Sequence, residues 1–152
     1  MFSNQLYYLT NNAKAIYEIL KLFKKKDPIA EARRYVDNAR KTLSENGELN
    51  VETKRYEDEK YVRAAGNYLW LGVLMAFDAV FHVRKDRRKR VDINSYLDAV
   101  GKRDRKLLDY VDDGYDVMHL YMTYDGIQSK KICDEGFRIA NAIINRCETM
   151  LA

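Results

Sequence analysis

"YVRAAGNYLWLGVLMAFDAVF" (residues 61–81) decides the fold. Around Trp70 the apolar residues occupy nearly every side of a helical projection, the pattern of a helix enclosed by others. The spacing predicts one long helix from about Glu52 to Arg84. Ala65, Gly72, Ala76 and Ala79 line one side, where small side chains let a neighbouring helix come close. Arg63, Asn67, Trp70, Leu74, Asp78 and Phe81 share the other side. A half-polar, half-aromatic stripe on a central helix calls for a partner: another helix, a second subunit or a ligand.

The flanking segments supply helices to surround it. Upstream, "DPIAEARRYVDNARKTLSENG" (27–47) predicts a helix with Asp27 as cap and Pro28 in the first turn, where a missing N–H costs nothing. Its inward stripe is Ile29, Ala32, Tyr35, Val36, Ala39 and Leu43, and Asn46-Gly47 ends it through a left-handed glycine cap. Before it, Ala13, Ile16, Tyr17, Leu20 and Phe23 recur at helical steps, with Asn11 or Asn12 as cap and Lys24, Lys25 and Lys26 at the end. Residues 1–26 therefore form a leading helical arm, and residues 27–152 the main domain.

Downstream, "RKDRRKRVD" (84–92) reads as a loop with Asp92 capping the next helix. From Ile93 a helical phase runs through Leu97, Val100, Leu107, Val111, Tyr115, Met118 and Met122 to about Tyr124, with Gly101 and Gly114 marking a break or kink. Asp125-Gly126 turns the chain. The last helix turns Ile132, Gly136, Ile139, Ala140, Ile143, Cys147 and Met150 inward. No repeat, linker or strand-like alternation is present. With one proline and seven glycines in 152 residues, the chain predicts an all-α fold: an antiparallel four-helix-type bundle with an additional N-terminal helix.

Composition narrows function by exclusion. A net charge of +4, with 33% charged residues, is too mild for a dedicated nucleic-acid binder and too balanced for disorder. The start of the chain lacks the pattern of a signal peptide. The most apolar run, residues 68–77, is too short to span a bilayer. No membrane association is expected. Cys133 and Cys147 fall on one helix face roughly 21 Å apart, too far to bridge, so both are expected as free thiols in a reducing cytoplasm. No phosphate-cradling glycine loop or zinc-type spacing occurs, and no metal or other cofactor is expected.

Chemistry-bearing residues gather in "DDGYDVMHLYMTYDG" (112–126). On a helix, Asp109, Asp112, Asp113 and Asp116 share the side facing water, and His119 sits at the border between that side and the apolar one. His119, Tyr115, Asp112 and Asp116 are the catalytic candidates, because a rim histidine titrates near neutrality. Asp116 and His119 also copy half of an acid-x-x-His di-iron pattern whose second half is absent. The loop residues Arg84, Lys85, Arg87, Arg88, Lys89 and Arg90 are the nucleic-acid-binding candidates, and Lys102, Arg103, Arg105 and Lys106 follow nearby. The stripe Arg63, Asn67, Trp70, Leu74, Asp78 and Phe81 is the interface candidate.

Three segments carry a family resemblance: "AEARRYVDNARKTL", the alanine-rich central helix, and "YDVMHLYMTYDG" followed by "SKKICDEGFRIANAIINRC". Over residues 28–150 the chain resembles HEPN-domain proteins, small helical bundles widespread in prokaryotes. The resemblance implies a dimer and, in many members, a metal-independent ribonuclease marked by an arginine, four to six intervening residues, then a histidine. His119 matches that histidine, but Asp112, Asp113 and Gly114 stand where the arginine belongs. Anions there repel the charge that develops in phosphoryl transfer. The expectation is a non-catalytic bundle acting through protein contacts, a cytoplasmic homodimer or the partner of a nucleotidyltransferase or nuclease. The rival is an RNA-binding or ribonuclease-type component of a toxin–antitoxin pair, using His119 and the loop 84–90.

Overall fold

The computed structural model describes residues 12–20, 27–86 and 88–152. Residues 12–20 are helical (α1). The elements that follow are α2 (Pro28–Asn46), β1 (Leu49–Asn50), β2 (Arg55–Tyr56), α3 (Glu59–Phe81), α4 (Ile93–Gly101), α5 (Arg105–Gly114), a π-helical segment (Tyr115–Tyr124) and α6 (Lys130–Leu151). The fold is all-α, as the periodicity predicts. The expected cap Asn11, Phe23 and the lysines 24–26 lie outside the described residues, as does Arg87.

α3 is the axis of the bundle. It is long and apolar enough by composition to cross a bilayer. Here α2, α6 and the π-helical segment cover it, burying Val62, Ala65, Leu69, Val73, Ala76 and Phe77 completely. Small residues set the spacing. A Cβ on Gly72 would fall 2.9 Å from the Ala32 carbonyl oxygen, so α2 rests directly on the α3 backbone there. On the far side, a Cβ on Gly66 would fall 2.5 Å from the Met122 Cβ and 2.9 Å from the Met118 carbonyl oxygen.

Local chemistry sets the ends. Asp27 accepts from the Ile29 N–H at 3.0 Å, with Pro28 following as expected. Asp92 and Asp104 cap α4 and α5 in the same way. Asp104 also receives Arg146 Nε at 2.6 Å, which ties the start of α5 to the end of α6 and holds the Asp104 carboxyl below its usual range.

Four expectations need correction. First, α3 begins at Glu59, not near Glu52, because residues 49–56 make an antiparallel hairpin, so the chain is not free of strands. The Asn50 side chain accepts from the N–H groups of Glu52 and Thr53, an Asx turn that competes with helix over a segment too short to show alternation. Second, α3 ends at Phe81, before Arg84. His82 adopts φ 50° and closes the helix as a left-handed cap, its N–H bonded to the Asp78 carbonyl. Third, Gly47 is right-handed (φ −74°), and the left-handed residue is Glu48 (φ 50°). Glycine is needed at 47 for space: a Cβ would lie 2.7 Å from the Leu43 carbonyl oxygen and 2.8 Å from the Tyr56 ring.

The fourth correction bears on the site. The expected α-helical phase beyond Gly114 is replaced by π geometry. The Asp125 N–H donates to the Leu120 carbonyl at 2.8 Å, and the Thr123 hydroxyl to the Met118 carbonyl at 2.7 Å, each five residues back. Gly114, Met118 and Met122 form the buried line, and Tyr115, expected inward, is turned only partly so. Arg63 holds the end of this segment, donating to the carbonyls of Thr123, Tyr124 and Asp125.

Candidate functional site

A cleft of about 550 Å³ opens where α3, the loop after it, α4 and the π-helical segment meet. Three groups of residues singled out separately in the sequence converge on it. Asn67, Trp70 and Leu74 come from the α3 stripe, Arg84 and Arg90 from the basic loop, and Tyr115 and His119 from the π-helical segment. Their separation in sequence hides this meeting; the chain reversal after His82 and the widened π turn bring it about.

The aromatic wall combines one edge-to-face pair, Trp70 with Tyr115, and two pairs tilted at 35°, each including His119. The Trp70 ring lies 5.7 Å from Tyr115 and 5.8 Å from His119, and Tyr115 and His119 are 5.1 Å apart. Trp70 is buried, while Tyr115 and His119 are half-buried. His119 Nδ1 is enclosed, with no hydrogen-bond partner among the described residues. Burial first, and the Arg90 guanidinium second, hold the His119 pKa below its ordinary value. The imidazole is therefore neutral at pH 7, with nothing on Nδ1 to fix its tautomer.

The basic wall has a different footing. The Arg84 N–H donates to Asp78 Oδ1 at 3.2 Å, and the Tyr96 hydroxyl donates to the same oxygen at 3.0 Å. Asp78 thus anchors both the loop and α4 to the end of α3. Burial and the neighbouring Asp78 carboxylate push the Tyr96 phenol up to about 12, against the pull of Arg84. Among the described residues, neither Arg84 nor Arg90 lies in an ion pair. The Asp92 carboxylate, also in the cleft, is taken up by the backbone and side-chain amides of Asn94. Lys85, Arg88 and Lys89 are exposed and do not line the cleft, and Arg88 pairs with Asp86 at 3.3 Å. Arg103 turns back on the end of α3, donating to the Val80 carbonyl at 3.3 Å and stacking over Phe81.

Other candidates lie elsewhere. Asp109, Asp112, Asp113 and Asp116 are exposed, as the helical projection predicts. Asp112 and Asp116 do not line the cleft with Tyr115 and His119. Within the α3 stripe, Arg63, Trp70, Asp78 and Phe81 all find partners inside the chain, while Asn67 remains exposed. Among the described residues no three histidine, cysteine, aspartate or glutamate side chains gather as metal ligands. Tyr96, Leu71, Val91 and Ile93 complete the cleft, and no pattern in the sequence marks them for it.

Two predictions arise here. Folding favours the neutral imidazole of His119, so the unfolded chain binds the extra proton as pH falls. The stability from burying it neutral is complete above the ordinary histidine pKa of about 6.5 and declines as pH drops through that value. Urea melts from pH 7.5 to pH 5 (roughly the histidine range) should show this decline, and His119→Gln should flatten it. The second concerns the thiols. Burial pushes Cys133 and Cys147 up to about 12, so a thiol reagent at pH 8 should label them only as fast as the chain opens. Rapid labelling of the native chain would contradict their enclosure.

Comparison with known proteins matches the fold without adding a chemistry. No curated protein matches the chain. A solved structure of a protein of unknown function from Dyadobacter fermentans is similar at 32% identity and a TM-score of 0.74, covering 84% of this chain and 98% of that one. The family model described as a domain of unknown function, DUF5618, matches residues 27–149, leaving α1 outside it. The chain belongs to the DUF5618 family.

Proposed function

We propose that this chain is a HEPN-like bundle that binds single-stranded RNA in the His119 cleft without cleaving it. One observation carries the binding: Arg84 and Arg90, free of ion pairs among the described residues, face an aromatic wall of Trp70, Tyr115 and His119 across one cleft. Guanidinium groups hold phosphates and aromatic rings receive bases, and neither contact requires a particular sequence.

The absence of cleavage rests on His119. A general base works when its second ring nitrogen is held by a partner that fixes the tautomer and steadies the imidazolium. Among the described residues Nδ1 of His119 has no such partner, and Asp112, Asp113 and Asp116, the carboxylates that precede it on the same stretch, face solvent. Arg84 and Arg90 supply positive charge where the HEPN arginine is missing, yet charge without an oriented base binds a phosphodiester and does not break it. The expected localisation is the cytoplasm, where free thiols such as Cys133 and Cys147 persist.

Trp70 is the sole tryptophan and so reports on the cleft. Titrating oligouridylate at low salt should change its emission saturably, and the RNA should remain intact. Cleavage that disappears in His119→Ala would establish a ribonuclease instead. No change in emission and no retention of RNA at low salt would refute binding.

A protein-contact reading is favoured by a separate feature. Ile16, Tyr17, Ile19 and Leu20 of α1 are about half or more exposed, outside the family domain. Such a face suits a second copy of the chain or a partner such as a nucleotidyltransferase or nuclease. Light scattering during size exclusion tests the homodimer: Ile16→Asp with Leu20→Asp should disperse it, and a monomer in both proteins would exclude it.

A further inference from the structure

A second concavity, of about 740 Å³, separates the hairpin from the first turns of α6. Leu49, Val51, Thr53, Lys54 and Arg55 form one wall, and Lys130, Lys131, Asp134, Glu135 and Arg138 the other. Backbone bonds fix the walls: the Lys130 N–H donates to the Lys54 carbonyl at 3.0 Å, the Tyr56 N–H to Gln128 at 2.9 Å, and Arg55 bridges to Ser129. The groove is therefore formed before any ligand arrives.

Its charges do not balance. Five cations face two carboxylates, and both carboxylates are already engaged: Asp134 by Lys130 at 2.5 Å, Glu135 by Arg138 at 2.6 Å. Lys54, Arg55 and Lys131 are exposed and, among the described residues, in no ion pair. Beside them Leu49 is 37% and Val51 79% exposed, apolar surface that the fold itself leaves uncovered.

We infer that this groove binds an acidic, partly apolar peptide segment of another protein, its carboxylates meeting Lys54, Arg55 and Lys131 and its apolar side chains covering Leu49 and Val51. The lining argues against nucleic acid. It contains no aromatic ring to stack on a base. The chain's own residues 1–26 have the wrong sign, with five lysines and one glutamate. The groove is lined by residues distinct from those of the His119 cleft, so its occupant is independent of the RNA proposal.

The test uses the full chain and the fluorescein-labelled peptide Glu-Leu-Asp-Glu-Val-Asp-Glu, read by anisotropy, with the Gln/Asn version as the neutral control. The acidic peptide should bind and the control should not. Lys54→Glu with Lys131→Glu should weaken binding about tenfold or more while the circular-dichroism melt stays unchanged, since both side chains are exposed. Val51→Ser should weaken it less. Equal binding of the neutral peptide, or unchanged binding in the folded double variant, would overturn the inference. So would competition by oligouridylate that survives Arg84→Glu with Arg90→Glu, or a self-associated chain that the lysine reversals disperse.

Discussion

Gly66→Ala should lower stability by about 2–3 kcal/mol, near the upper end for a single added methyl group. Alanine is otherwise the better helix former by about 1 kcal/mol, so the steric cost must exceed that gain. It does so because the new Cβ meets atoms that cannot swing away: the Met122 Cβ at 2.5 Å and the Met118 carbonyl oxygen at 2.9 Å. Both belong to the π-helical segment, so relief requires moving α3 off that segment, and the cleft walls move with it. For a domain of this size the midpoint of a thermal melt should fall by roughly 5–10 °C.

Gly136→Ala is the control. Its Cβ would meet the Met122 sulfur at 2.7 Å, the far end of a flexible side chain. A loss below about 1 kcal/mol is expected there, since the methionine can yield. Equal losses at both positions would mean that the close approach of α3 to the π-helical segment does not hold.

The second large effect is on binding. Arg84→Glu with Arg90→Glu should weaken oligouridylate binding about a hundredfold at low salt, because each reversal removes an attraction and adds a repulsion. The slope of affinity against salt should also fall. Lys85→Glu with Lys89→Glu, reversing exposed residues of the same loop outside the cleft lining, should cost far less. Equal losses from the two pairs would point to a diffuse field of the whole loop rather than a cleft. The fold should tolerate both changes: Arg84 is anchored through its backbone N–H, which glutamate retains.

The bundle was legible in the sequence because burial repeats with helical period. Ile29, Ala32, Val36, Ala39 and Leu43 are all buried, as are Ala65 and Ala76 of the expected small-residue face, and α2 rests on the α3 backbone at Gly72 of that face. The hairpin was not legible, since its strands of two residues each are too short for alternation and an Asx turn leaves only Asn50 as a sign. The π geometry was hidden for a different reason: Leu107, Val111, Met118 and Met122 satisfy either helical phase. The contacts that accompany the wider turn are tertiary, the bare backbone at Gly66 and the Arg63 hold on the carbonyls of residues 123–125, and leave no periodic trace.

The site was legible residue by residue but not as a place. His119, Tyr115, Trp70, Arg84 and Arg90 were each marked by chemistry, under three separate readings. Their convergence depends on the Tyr96–Asp78 bond, which joins residues eighteen positions apart and leaves no periodic trace. Once α4 is held on the end of α3 in this way, the basic loop lies beside the π-helical segment, and the stripe on α3 becomes one wall of a cleft.

The most direct measurement is a proton NMR titration of the folded chain with oligouridylate at low salt. Two histidines and one tryptophan keep the imidazole and indole signals few enough to assign with His82→Ala and His119→Ala. The account predicts that the His119 and Trp70 signals shift together to saturation, while His82, exposed at the cap of α3, moves little. Saturable RNA binding that leaves both His119 and Trp70 unmoved would contradict it.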